Sequence, residues 1–130
     1  MANRYKDWFR QAEADLKHAR NALEAGDFEW SCFAAHQAAE KALKAVYQRI
    51  SQDAWGHTLI ILMGNLPEPI HPPEELIDAA RALDKHYIPT RYPNSFDSGA
   101  PTDFYTQKEA REAIRNAEAI LEFCGHQISE

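Results

Sequence analysis

No part of the 130-residue sequence approaches the roughly 20 consecutive apolar residues that span a bilayer, so a membrane protein is not expected. The opening Met1-Ala2-Asn3-Arg4 lacks the apolar run of a secretory signal, and a cytoplasmic location is the expectation. Cysteine is scarce. Cys32 and Cys124 each sit inside an apolar helical pattern, with no metal-ligand spacing and no signature of nucleophilic catalysis. They read as reduced core thiols, and neither a disulfide scaffold nor a metal centre is expected. The five glycines are scattered at element ends, so no phosphate-cradling glycine loop is present and no cofactor is expected. Positive charge is also in deficit, with 14 Lys and Arg against 20 Asp and Glu, a formal net charge of −6. That balance excludes general phosphate-driven binding of duplex nucleic acid but leaves room for a local basic site.

What is there is ordinary globular composition, 45% hydrophobic and 26% charged, at a length suited to one domain over residues 1–130. Proline divides it. All seven prolines lie between Pro67 and Pro101, and both flanks show helical periodicity. In the first flank Tyr5, Trp8, Phe9, Ala12, Leu16, Ala19 and Leu23 form one apolar stripe, closed by Gly26 as a helix stop. A second helix is predicted from about Phe28 to Ser51, with Cys32, Ala35, Ala38, Ala39, Ala42, Leu43 and Val46 on its main face. The alanines let a neighbouring helix approach closely. After Gly56, Thr58 is placed to cap a short helix, and Pro72 or Pro73 suits the first turn of the next. Residues 87–105 have no period, a length of loop that is often functional. Thr106-Gln107-Lys108-Glu109 is a capping box, and the stripe behind it runs to about Gly125. The predicted fold is all-α, an antiparallel bundle of four or five helices.

The second helix carries another stripe of Phe33, His36, Glu40 and Tyr47, read as surplus surface on a monomer and therefore as a dimer interface. His36 and Glu40 have the spacing of a metal or proton-transfer pair, but no third ligand is identifiable and a hydrogen-bonded polar pair is the preferred reading. His57 is read as ordering a turn. The densest chemistry is Arg81-Ala82-Leu83-Asp84-Lys85-His86-Tyr87-Ile88-Pro89-Thr90-Arg91-Tyr92-Pro93. Arginine forks match phosphate oxygens, aromatic rings stack on unpaired bases, and an imidazole can exchange a proton with a ribose hydroxyl. The competing account is a helix C-terminus, with Lys85 and His86 favoured by its dipole and the tyrosines packing the loop onto the bundle.

Several stretches together resemble the HEPN domain family, especially its small stand-alone prokaryotic members. They are the opening helix from Tyr5 to Leu23, Phe33-Ala34-Ala35-His36-Gln37-Ala38-Ala39-Glu40-Lys41-Ala42-Leu43-Lys44-Ala45, Gly56-His57-Thr58-Leu59, Tyr87-Ile88-Pro89-Thr90-Arg91-Tyr92-Pro93, and Phe104-Tyr105-Thr106. The resemblance implies an up-and-down bundle that pairs as a homodimer and associates with nucleotides or single-stranded RNA. It also implies a separately encoded minimal nucleotidyltransferase partner in a toxin–antitoxin-like pair. Many members are metal-independent ribonucleases that carry Arg, four to six residues, then His, with the motifs meeting at the dimer interface. Arg81 and His86 match that spacing. The chain departs from the catalytic pattern in having Ala82 after the Arg and Tyr87 directly after the His. Binding is therefore placed ahead of cleavage, with Arg91, Lys85, Tyr87 and Tyr92 as nucleotide- or phosphate-binding residues and Arg81 and His86 as the candidate catalytic pair. A purely structural interaction domain is the third reading.

Overall fold

The computed structural model describes residues 3–129, and among them every regular element is helical. Four longer helices make the bundle: α1 (Tyr5–Ala25), α2 (Phe28–Arg49), α4 (Glu74–Asp84) and α6 (Gln107–Ile128), with short pieces α3 (Leu59–Gly64) and α5 (Pro101–Phe104) between them. The architecture is the expected up-and-down antiparallel bundle. Only Gly26 and Asp27 separate α1 from α2; Gly26 takes φ +82, a left-handed conformation that costs glycine little, and its N–H reaches the Ala22 and Leu23 carbonyls.

Helix α2 is central, with α1 and α6 packed along it and α3, α4 and α5 against its remaining sides. Its Ala34, Ala35, Ala38, Ala39, Ala42 and Ala45 are all buried, as are Ala12, Ala19, Ala110, Ala113 and Ala117 on the flanking helices. Small side chains along the α1–α2 and α2–α6 contacts bring backbones close, and the larger Leu43, Leu59, Met63, Leu83 and Ile120 fill what remains. Cys32 and Cys124 are buried free thiols, as expected. At Thr106 both halves of the capping box form: Glu109 N–H donates to the Thr106 hydroxyl and Thr106 N–H to the Glu109 carboxylate, each at 3.1 Å.

Three expectations change. The last helix does not stop near Gly125 but runs to Ile128, and a Cβ at Gly125 would meet the Phe9 ring at 3.4 Å, an ordinary van der Waals contact. The 87–105 segment is not structureless; a 3₁₀ turn at Pro93–Ser95 and α5 interrupt it, and Phe96 stacks on Phe104 at 4.5 Å. The second stripe of α2 is not left as open surface. His36, Glu40 and Tyr47 are buried within the chain itself, under the segment that leads into α3, and Phe33 is partly buried. The Tyr47 hydroxyl donates to the Leu62 carbonyl at 2.5 Å, so α3 covers the lower part of the stripe. A polar stripe can be buried without loss when each of its groups finds a partner inside, and here each does.

Candidate functional site

The site grows from that buried stripe. His36 has no exposed surface; its Nε2–H donates to the His57 carbonyl at 3.0 Å, and its Nδ1 lies 3.1 Å from the Gln37 side-chain oxygen. One turn further along α2, the Glu40 carboxylate meets Lys44 Nζ at 2.9 Å and His57 Nδ1 at 3.0 and 3.1 Å. His57 is therefore fastened twice, by its backbone and by its ring. Its ring also stacks on Tyr87, with centroids 4.7 Å apart and planes within 18°.

Asp84, the last residue of α4, secures the next stretch. Its carboxylate accepts the Leu59 N–H at 2.7 Å and the Ile60 N–H at 3.1 Å, the free donors at the start of α3. Thr58 occupies the N-cap position but makes no side-chain cap bond. The expected cap is thus replaced by a carboxylate from another helix, which carries full negative charge to the positive helix end. The same carboxylate stands 3.4 Å from His36 Nε2.

Above this network, α4 ends and the chain turns. Thr90 Oγ1 donates to the His86 carbonyl at 2.6 Å, and Arg91 Nε and Nη2 donate to the Tyr87 carbonyl at 2.9 and 2.8 Å. These local bonds fold residues 86–91 into a compact knuckle. The Arg91 guanidinium then lies over three rings, 4.4 Å from Phe33, 4.6 Å from Tyr87 and 5.1 Å from Tyr92. Trp30 meets Phe33 edge-on at 6.1 Å, and Tyr92 and Ile88 are about half exposed. The aromatic run Trp30–Phe33–Tyr87–His57 with a cation seated in it forms one wall of the face. Beside it opens a cleft of about 510 Å³ lined by His57, Thr58, Asp84, Lys85, Tyr87 and Ile88. A larger groove of about 800 Å³ lies between α1 and α6, but its rim is mainly acidic (Glu13, Glu118, Glu122), the wrong sign for a phosphate.

Of the residues singled out from sequence, the structure gathers Phe33, His36, Glu40, Tyr87, Tyr92 and Arg91 into this one region, with Lys85 on the cleft. Arg81 and His86 face different surroundings. Arg81 is exposed and pairs with Asp78 at 2.8 Å. His86 turns inward, where its Nδ1 is shut off from solvent and its ring meets Tyr105 edge-on at 5.6 Å. Burial lowers the His86 pKa from its ordinary value, opposed by Glu109 and reinforced by His36 and Lys85. Burial likewise pushes the Tyr105 hydroxyl up to about 12, so it stays a neutral donor. Sequence reasoning passed over Asp84 and gave His57 only a turn-ordering role. The signal available for both was position: His57 directly before a helix start, and Asp84 an acid at a helix C-terminus, where an acid is disfavoured unless it serves something else. Among the described residues no cluster of three or more His, Cys, Asp or Glu is arranged to hold a metal ion, and no helix is long and apolar enough to cross a membrane.

The HEPN domain family model matches residues 5–127. The crystal structure of TT1696 from Thermus thermophilus superposes with a TM-score of 0.95 at 47% identity, covering 97% of this chain and 99% of that one. ST0689, described as an archaeal HEPN homologue, superposes with a TM-score of 0.83 at 39% identity over 99% of this chain and all (100%) of that one. A Methanocaldococcus jannaschii protein named "Putative toxin MJ1304" is 25% identical over 140 residues, covering 90% of this chain and 83% of the relative.

Proposed function

The chain belongs to the HEPN domain family, and on that premise we propose that it is a binding module for a nucleotide or single-stranded RNA. The observation that carries this is Arg91, a fixed cation seated on the faces of Phe33, Tyr87 and Tyr92 beside the Lys85 cleft. Two of its donors are held by the Tyr87 carbonyl, which aims the guanidinium; its remaining N–H groups are the fork that suits phosphate oxygens. Rings of Tyr92 and Tyr87 offer faces on which an unpaired base stacks without sequence preference. A chain of net charge −6 repels nucleic acid at long range, which favours a short, local contact over a long tract. Titration of labelled single-stranded RNA and of mononucleotides against wild type and Arg91→Ala tests the reading. Binding that weakens in the variant supports it, and equal binding by both proteins sinks it.

The relative named as a putative toxin supports keeping a second reading, a metal-independent endoribonuclease of a toxin–antitoxin-like pair, whereas a separately encoded minimal nucleotidyltransferase is the partner of the binding reading. Arg81 and His86 are its candidate pair, and a homodimer would be needed to bring one chain's residue to the other's. With most of the α2 stripe buried, the half-exposed Trp30 and Tyr92 with the partly buried Phe33 between them form the edge that a second copy would cover. Light scattering at twice the 14.8 kDa chain mass, with RNA cleavage that resists EDTA and vanishes in His86→Ala, is the pattern this reading requires.

A further inference from the structure

We propose that His57 is a proton-transfer residue serving the cleft beside Lys85, and that Glu40 is the positioning residue that holds it in the reactive form. The buried Glu40 carboxylate can only accept, so the ring nitrogen it faces, Nδ1, carries the proton. The lone pair is then on Nε2, across the ring from Glu40. The His57 side chain is 51% exposed, lines the cleft, and its Nε2 has no bonding partner among the described residues.

Pinning a loop needs less than this. The His36 bond to the His57 carbonyl and the Asp84 bonds to Leu59 and Ile60 already fix the segment through its backbone. The ring of His57 adds a third constraint from Glu40 and a fourth from the Tyr87 stack, yet its other nitrogen makes no hydrogen bond among the described residues. Carboxylate, imidazole with one nitrogen held, and an unbonded second nitrogen on a half-exposed side chain that lines a cleft are the parts of an oriented general base. Lys44 at 2.9 Å offers the Glu40 oxygens a cation, and Lys85 supplies positive charge on the cleft wall.

The nature of the ligand rests on the binding reading above: a phosphate-bearing molecule with a hydroxyl nearby, as the ribose of a ribonucleotide provides. The step itself is a proton transfer. The ligand O–H bond breaks, an Nε2–H bond forms, and the imidazolium that results faces the Glu40 carboxylate while the oxygen keeps its electron pair. The positive charge on the ring is thus met by a negative charge already in place, without reorganisation.

Two measurements on the protein alone test the dyad. In long-range proton–nitrogen correlation spectra of unmutated protein, His57 should be the Nδ1–H tautomer; the Nε2–H tautomer overturns the proposal. Diethyl pyrocarbonate acylates a neutral, accessible imidazole nitrogen, and mapping at about pH 8 reads His57 against the exposed His18, His71 and His126. His57 should react several-fold faster than these three, and Glu40→Gln should remove that excess while circular dichroism stays unchanged. A rate for His57 no higher than the other three, or one that Glu40→Gln leaves intact, overturns the dyad. A third arm adds the ribodinucleotide ApA. Protection of His57 supports both proposals. A fast-reacting His57 that saturating ApA leaves unprotected overturns its service to a bound hydroxyl. Absence of ApA binding, beside a reactive His57, refutes the nucleotide reading and leaves the Glu40–His57 pair standing.

Discussion

Asp84 closes α4 and opens α3: its two carboxylate oxygens take the N–H groups of Leu59 and Ile60, 25 and 24 residues away in sequence, at 2.7 and 3.1 Å. One side chain thereby ties the helix that carries the Lys85–Arg91 knuckle to the segment that carries His57. The site's two walls hold their spacing through this residue.

Asp84→Ala should therefore destabilise the fold by roughly 1–2 kcal/mol, the cost of losing a charged cap, and lower the melting temperature by about 3–6 °C. Asp84→Asn should recover part of the loss, since its amide oxygen still accepts one N–H. Thermal melts of the three proteins decide it; an unchanged midpoint in the alanine variant would mean that the cap is supplied from elsewhere.

Replacing Arg91 should act on ligand affinity more than on folding. Loss of a charge-assisted contact is worth about 1.5–3 kcal/mol, up to ~100-fold in affinity, so Arg91→Ala should show a weakening on that scale for single-stranded RNA. Arg91→Lys keeps the charge but gives up the planar fork and its stack on Phe33, Tyr87 and Tyr92, and should fall between. Fluorescence titration at two salt concentrations adds a second reading. If Arg91 contacts a phosphate, the alanine variant's slope of log affinity on log salt should be smaller by about 0.7.

Ala39 has no exposed surface and sits midway along α2, in the face that other helices approach. Ala39→Leu adds volume where backbones are already close, and should cost roughly 1–3 kcal/mol. Denaturant unfolding should show a lower midpoint with an unchanged slope.

Most of the bundle is readable from the chain because its determinants are local. Stripe spacing marks α1, α2 and α6, Gly26 ends one helix, and Thr106 with Glu109 starts another within four residues. What sequence could not show is which long-range partner satisfies a local need. Thr58 is a reasonable cap by type, yet Asp84 arrives from another helix with more charge and takes the role. The Phe33–His36–Glu40–Tyr47 stripe has the periodicity of an outward face, and nothing nearby announces that α3 and the segment before it fold back over it. The Glu40–His57 contact spans 17 residues and a turn with Gly56 at φ +90, a geometry that periodicity does not encode. Arg91 was legible as a candidate by type, whereas its seat on Phe33 depends on α2 and α4 being packed together.

His86 gives a pH-dependent signature of its own. Burial is the largest influence on it and lowers its pKa; Glu109 pulls the other way, and His36 and Lys85 add to the lowering. The folded-state value therefore lies below the ordinary 6.5 that the unfolded chain shows. As pH falls, the unfolded chain takes up the proton first, which favours unfolding. The stability that depends on a neutral His86 is fully present above about 6.5 and is lost as pH drops through the folded-state value. Melting temperature should thus decline on acidification below neutrality more steeply in wild type than in His86→Gln, which cannot take up that proton. The difference between the two curves isolates His86 from the carboxylates that also titrate at lower pH. Parallel curves would mean that His86 is as free to ionise in the fold as out of it. That result would also remove the inward, desolvated placement that sets His86 apart from the half-exposed His57.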